Sequence, residues 1–129
     1  MIKIFVRGDN MIKKLDRGDN MVKDLVYDSR IKAEVFVADT FIKRFSGFMF
    51  RKTPHHEAIL IKPCNSIHTF FMRFPIDVLF INENMEVVKK LDALKPGSMV
   101  MPQKNCKFVI EGSVGRFENI EVGGKISVI

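Results

Sequence analysis

His68, Arg73 and Asp77 stand inside one strongly apolar run, Ser66-Ile67-His68-Thr69-Phe70-Phe71-Met72-Arg73-Phe74-Pro75-Ile76-Asp77-Val78-Leu79-Phe80-Ile81. A carboxylate among apolar neighbours is costly unless it is paired or hydrogen-bonded. Asp77 therefore needs either a cation, with Arg44, Arg51 and Arg73 as candidates, or backbone amides near the Pro75 turn. A structural ion pair or amide capping is the commoner use of such a residue, and a catalytic or ligand site is the sharper one. His68 titrates near neutrality and has the chemistry of a general base. It has no nucleophile beside it in sequence, since Thr69 points the opposite way on an extended strand.

Other chemistries have less support. Cys64 and His68 are four residues apart, roughly 13 Å along a strand, too far for one metal ion. A zinc site from Cys64, His68 and Cys106 needs a turn at Pro63-Cys64-Asn65-Ser66. His55 and His56 follow Pro54 and read as an exposed loop. Gly-x-Ser-x-Gly is missing, and Gly112-Ser113-Val114-Gly115-Arg116 lacks the Lys-Ser or Lys-Thr of a phosphate loop. No cofactor is expected.

The elements that must hold these residues are mostly strands. Ile31 to Ala38 alternates as a strand does, and Glu57 to Lys62, Ile67 to Phe74, Ile76 to Ile81, Met85 to Leu91, Cys106 to Glu111 and Lys125 to Ile129 follow. Asn82-Glu83-Asn84, Lys95-Pro96-Gly97-Ser98 and Gly112 to Gly115 are turn or loop signals. Pro75 marks an edge, a bulge or a bend. One helix is expected: Asp39-Thr40 offers an N-cap, and Phe41, Phe45, Phe48 and Met49 share a helical face. The sum is a mostly-β barrel or sandwich of short strands with one short helix.

The chain of 129 residues is one domain by size. Residues 1–30 are three decapeptide units, MIKIFVRGDN, MIKKLDRGDN and MVKDLVYDSR, and we read residues 1–25 as a duplicated extension and 26–129 as the domain. Twelve Phe and no Trp imply a core of phenyl rings. The net charge of +6 allows nucleic acid as partner, but Lys alternates with Asp and Glu along segments such as Glu83 to Asp92, the pattern of a solvated face. Two cysteines make no disulfide framework, and buried free thiols are the preferred reading. The first residues are too short an apolar run for an export signal, and no window is long enough to span a membrane, so the cytoplasm is expected.

Two blocks carry a resemblance. Val37-Ala38-Asp39-Thr40 with Arg44-Phe45-Ser46-Gly47-Phe48-Met49-Phe50-Arg51 is the first, and His68 to Ile81 is the second. With Glu86-Val87-Val88 and Val122-Gly123-Gly124 in order, residues 26 to 129 resemble the bacterial and archaeal domain-of-unknown-function family 192. The resemblance implies a small, mainly β domain with a short helix bearing Arg-x-x-Gly-x-Met, and no established activity. Phe48 stands where Leu is usual, and residues 111–115 lack the usual Leu-Pro-Ala-Gly.

These residues are read as a binding or accessory module rather than an enzyme, with a polar pocket from Arg44, Arg51, His68, Thr69, Arg73 and Asp77. Arg44 and Arg73 would meet an anionic or hydroxyl-rich ligand, Asp77 would orient them, and Phe71 and Met72 would form an apolar wall. The partner is a small ligand or a protein. The alternatives are a hydrolase using His68 and Asp77, or a weak nucleic-acid binder.

Overall fold

The computed structural model describes residues 22–38 and 47–129. Nine strands follow in chain order: β1 Val22–Tyr27, β2 Arg30–Ala38, β3 Ala58–Ile61, β4 Ile67–His68, β5 Ile76–Ile81, β6 Val87–Leu94, β7 Met99–Val100, β8 Phe108–Ser113 and β9 Ser127–Val128. Seven form one curled sheet in the order β6-β5-β8-β3-β2-β1-β9, and β4 pairs with β7 in a second sheet. This half-barrel is the mostly-β fold that the strand pattern implies. No helix occurs among the described residues: of the expected helical face, Phe41 and Phe45 lie outside them, and Phe48 and Met49 stand in a turn.

Local chemistry shapes the connections. Asp28 and Ser29 both take positive φ, as a two-residue turn with the twist of its flanking strands requires. Asn82 Oδ1 accepts from the amides of Asn84 and Glu86, which closes the β5–β6 hairpin. β2 and β3 run parallel, so the chain must cross over between them, and that crossing contains the first block.

The central strands β3 and β5 are buried on both faces. One face packs Leu25, Val35, Leu60, Leu79 and Ile110 under Phe117, Ile120 and Ile126. A side chain at Gly112 would meet the Phe117 ring at 2.8 Å, so glycine lets this cover sit directly on β8. The other face packs Ile59, Ile61, Val78, Phe80 and Val109 under Phe48, Ile67, Met72 and Cys106. It is covered by the 47–56, 62–75 and 95–107 segments.

Two expected elements are corrected. The strand expected from Ile67 to Phe74 stops at His68. Met72 N–H donates to Thr69 C=O, and Phe71 has φ +65°, so the chain turns and the expected face of His68, Phe70, Met72 and Phe74 does not form. The strand expected at Cys106 to Glu111 starts at Phe108 and runs to Ser113, carrying Gly112 and Ser113 into the sheet.

The third decapeptide unit forms β1 and the turn after it, and Leu25 is fully buried. The strand thus spans the boundary expected after residue 25. Deleting residues 1–20 should leave one cooperative urea transition with unchanged m value. A loss of cooperativity would show that the first two units belong to the fold.

Candidate functional site

The two sequence blocks meet over the second core. Phe48 packs edge-on against Phe74, with centroids 5.6 Å apart. Phe50 stacks on Phe71 at 5.2 Å, and its N–H donates to the Phe71 carbonyl at 2.9 Å. Both residues have left-handed backbones, φ +62° and +65°, yet both rings are about two-thirds exposed. Strained backbone that presents large apolar groups to solvent is a functional signal rather than a packing one.

The expected site residues divide into frame and surface. Thr69 is fully buried. Its hydroxyl donates to the Lys95 carbonyl at 2.6 Å and accepts from Ser98 N–H at 2.8 Å. Asp77 is nearly as buried, and its two oxygens accept from Ala93 N–H at 2.7 Å and Gly115 N–H at 2.8 Å. Together Thr69 and Asp77 hold the two ends of residues 93–98. No described arginine forms an ion pair with Asp77, so amide capping is the geometry present. His68 is half-buried, stacks on Phe70 at 5.1 Å, and accepts from Phe70 N–H through Nδ1. No hydrogen bond joins it to Asp77. Arg51 and Arg73 are exposed, and Arg44 lies outside the described residues.

The thiols are structural. Cys106 Sγ contacts the carbonyls of Phe108 and Cys64, and Cys64 Sγ donates to Ser66 C=O at 2.9 Å. The two form no disulfide, and burial raises the Cys106 thiol above its ordinary pKa, which disfavours the thiolate. No cluster of three or more His, Cys, Asp or Glu suited to a metal occurs among the described residues.

Sequence reasoning missed Glu111. It is 2% exposed on β8, between Ile59 of β3 and Val78 of β5. Its Oε2 has no hydrogen-bond partner among the described residues. Burial pushes its pKa up to about 8, so the carboxyl is protonated at neutrality. A side chain on Gly47 would lie 3.6 Å from Oε2, which places the first block's glycine against this acid. The signal was present as a lone acid in the apolar run Phe108-Val109-Ile110-Glu111, but an edge strand would expose the same residue.

One register step outward from Glu111, on the same face, a cleft of about 470 Å³ opens. Glu34, Phe36, His55, His56, Ser113 and Arg116 line it, together with Glu57. Phe36 and Glu111 both belong to the cross-strand row through Ile59. His56 stacks on Phe36 at 4.5 Å, so it is less exposed than a loop histidine. Partial burial lowers the pKa of both histidines, His55 further through His56 and Arg51, and His56 through Arg51 against the opposing pull of Glu34. Arg51 is thus the expected site residue whose charge reaches this cleft. Arg116 Nη1 lies 3.6 Å from Glu57 Oε1, while its buried Nε–H is unpartnered among the described residues.

A small curled-sheet β domain with a protonated acid beside a polar cleft is the class these observations define. The chain belongs to the DUF192 family (Uncharacterized ACR), whose model matches residues 24–128. A UPF0127 protein of Pyrococcus furiosus is 44% identical over 103 residues, which cover 74% of this chain and 87% of that protein. A Sinorhizobium meliloti structure described as a candidate transcription regulator superposes with TM-score 0.67 at 18% identity, covering 83% of this chain and 92% of that one. A Novosphingobium aromaticivorans protein of unknown function gives TM-score 0.66 at 16% identity, covering 82% and 83%. At these identities the two structures share the fold, and the family carries no specific function.

Proposed function

We propose that this chain is a binding module that seats a small anionic or hydroxyl-rich ligand in the cleft beside Glu111. The observation that carries the reading is a pair of buried polar atoms without partners among the described residues, Arg116 Nε of a cleft-lining residue and Glu111 Oε2 one register step inward from the cleft. Buried polar groups without partners are rare and call for a bound group to complete them. Arg116 and Arg51 supply positive charge, Ser113 a hydroxyl, and the protonated Glu111 a donor. Among the residues singled out from sequence, Arg51 is assigned to this cleft through its charge on His55 and His56, His68 and Arg73 do not line it, and Arg44 lies outside the described residues. Thr69 and Asp77 act as frame by holding residues 93–98. A cytoplasmic setting is part of the proposal. No helix among the described residues is long and apolar enough to cross a membrane.

A thermal-shift screen with nucleotides, sugars, inorganic phosphate and citrate tests it. A ligand at about 100 times its dissociation constant stabilises by roughly 2.7 kcal/mol, a midpoint shift of a few degrees in a chain this size. The expected hit raises the midpoint of the parent and not of Arg116→Ala. A flat response across the panel, or a hit untouched by Arg116→Ala, removes the cleft as the seat. Turnover of a hit that is lost in His68→Ala would instead return the hydrolase reading.

A further inference from the structure

Over the whole sequence the charges are mixed, but in three segments they are not. The three segments covering the second core, 47–56, 62–75 and 95–107, contain seven of the chain's 21 Lys and Arg and none of its 15 Asp and Glu. The rest of the chain holds 14 cations and 15 anions, so these segments carry +7 and everything else −1. The seven are Arg51 and Lys52, Lys62 and Arg73, and Lys95, Lys104 and Lys107, and every one is exposed.

The same layer presents most of the large exposed apolar side chains among the described residues. Phe50, Phe71, Met99 and Met101 are each 63–67% exposed, and Phe70 is 37% exposed. Register explains their direction. Ile67 and Val100 pair and pack on the second core, so their neighbours His68 and Met99, also paired, turn outward. Phe70 stacks on His68, and the Phe50–Phe71 pair is tied to the next turn of the same segment. Apolar side chains standing among cations, on segments that carry no acid of their own, form a two-part adhesive surface.

We infer that this layer docks on an anionic lipid surface, with Phe50, Phe71, Met99 and Met101 entering the headgroup region and the lysines meeting lipid phosphates. Three features favour that occupant. Five of the seven cations are Lys, the compact hydrated charge that protein interfaces disfavour and that nucleic-acid recognition uses less than Arg. Two of the exposed apolar groups are Met, which has no ring face for a base to stack on but partitions readily into a hydrocarbon boundary. Polybasic charge combined with inserted apolar side chains is also the combination that gives reversible adhesion to an anionic leaflet. The inserting side chains Phe50, Phe71, Met99 and Met101 do not line the cleft, although Pro54, His55 and His56 of the 47–56 segment do.

Co-sedimentation of the full chain with vesicles tests it. The chain is expected to pellet with vesicles of equal parts phosphatidylcholine and phosphatidylglycerol at low salt, and to stay in solution with pure phosphatidylcholine. Added salt should release it. Phe50→Ser with Phe71→Ser should weaken partition about tenfold or more, and Lys104→Glu with Lys107→Glu should weaken it while leaving the aromatic pair intact. Melting curves confirm that the variants fold, and Met99→Ser with Met101→Ser replaces the aromatic pair if that pair does not. Failure to pellet with the anionic vesicles, equal pelleting with neutral ones, or folded variants that bind like the parent overturn the inference. So does preference for a single-stranded oligonucleotide over the anionic vesicles at matched phosphate concentration, which would give the surface to nucleic acid.

Discussion

Glu111→Gln is expected to raise the unfolding free energy at pH 7 by about 2–3 kcal/mol, a stabilisation produced by removing a buried acid. The folded-state pKa of about 8 lies above the ordinary 4.5. Between those values the folded chain holds a proton that the unfolded chain has released. Stability contributed by this group is therefore complete below about pH 4.5, falls as pH rises towards 8, and levels off above it. The glutamine is neutral throughout and should remove that slope. Its amide must still be accommodated beside Ile59 and Val78, which is why the expected gain stays below the full linkage value. Urea unfolding at pH 5, 7 and 8.5 reads both effects. A variant with the parent's stability and the parent's slope would mean that the Glu111 carboxyl titrates alike in the folded and unfolded chain. A residue whose removal stabilises the chain is one whose retention suggests function, since stability is often the quantity lost at sites that bind.

Asp77→Asn should act in the opposite direction and cost about 2–4 kcal/mol. Asparagine keeps one acceptor oxygen and places an NH₂ where the second stood. One of the two amides, Ala93 N–H or Gly115 N–H, then faces a donor in a buried setting. Ala93 has positive φ, so the carboxylate also holds a strained position at the end of β6. Thr69→Val should cost less, about 1–3 kcal/mol, because its hydroxyl serves the more exposed turn at Lys95 to Ser98. The comparison separates frame from ligand contact. If Asp77→Asn leaves the urea midpoint unchanged but abolishes a ligand response, the carboxylate belongs to the ligand and not to the frame.

Much of the fold was legible because its signals are local. Alternation from Ile31 to Ala38 depends only on which way neighbouring side chains point, and β2 follows it. The continuous apolar run Ile76 to Ile81 matches a strand buried on both faces. Asn82-Glu83-Asn84 closes a hairpin through its own asparagine, needing nothing distant. The family blocks were equally visible, and the structure packs them together through Phe50 and Phe71. Where a local turn opposed a long apolar pattern, as at Thr69 to Met72, the pattern misled. Apolar spacing reports burial, and a buried turn has the same composition as a strand.

What the sequence by itself determined is therefore the strand-rich character, the hairpins, the two blocks and the need for Asp77 to find partners. Only the tertiary structure decided which partners. Asp77 finds the amides of Ala93 and Gly115, 16 and 38 residues away, rather than an arginine. Glu111 becomes a buried acid because β3 and β5 flank it on both sides, and neither neighbour can be read from its own strand. The basic apolar layer exists because three separated segments, none of which carries an acid, cover one face of the sheet. Side-chain direction is a property of one strand, but burial, pairing and surface charge depend on which distant strands and loops the fold brings alongside.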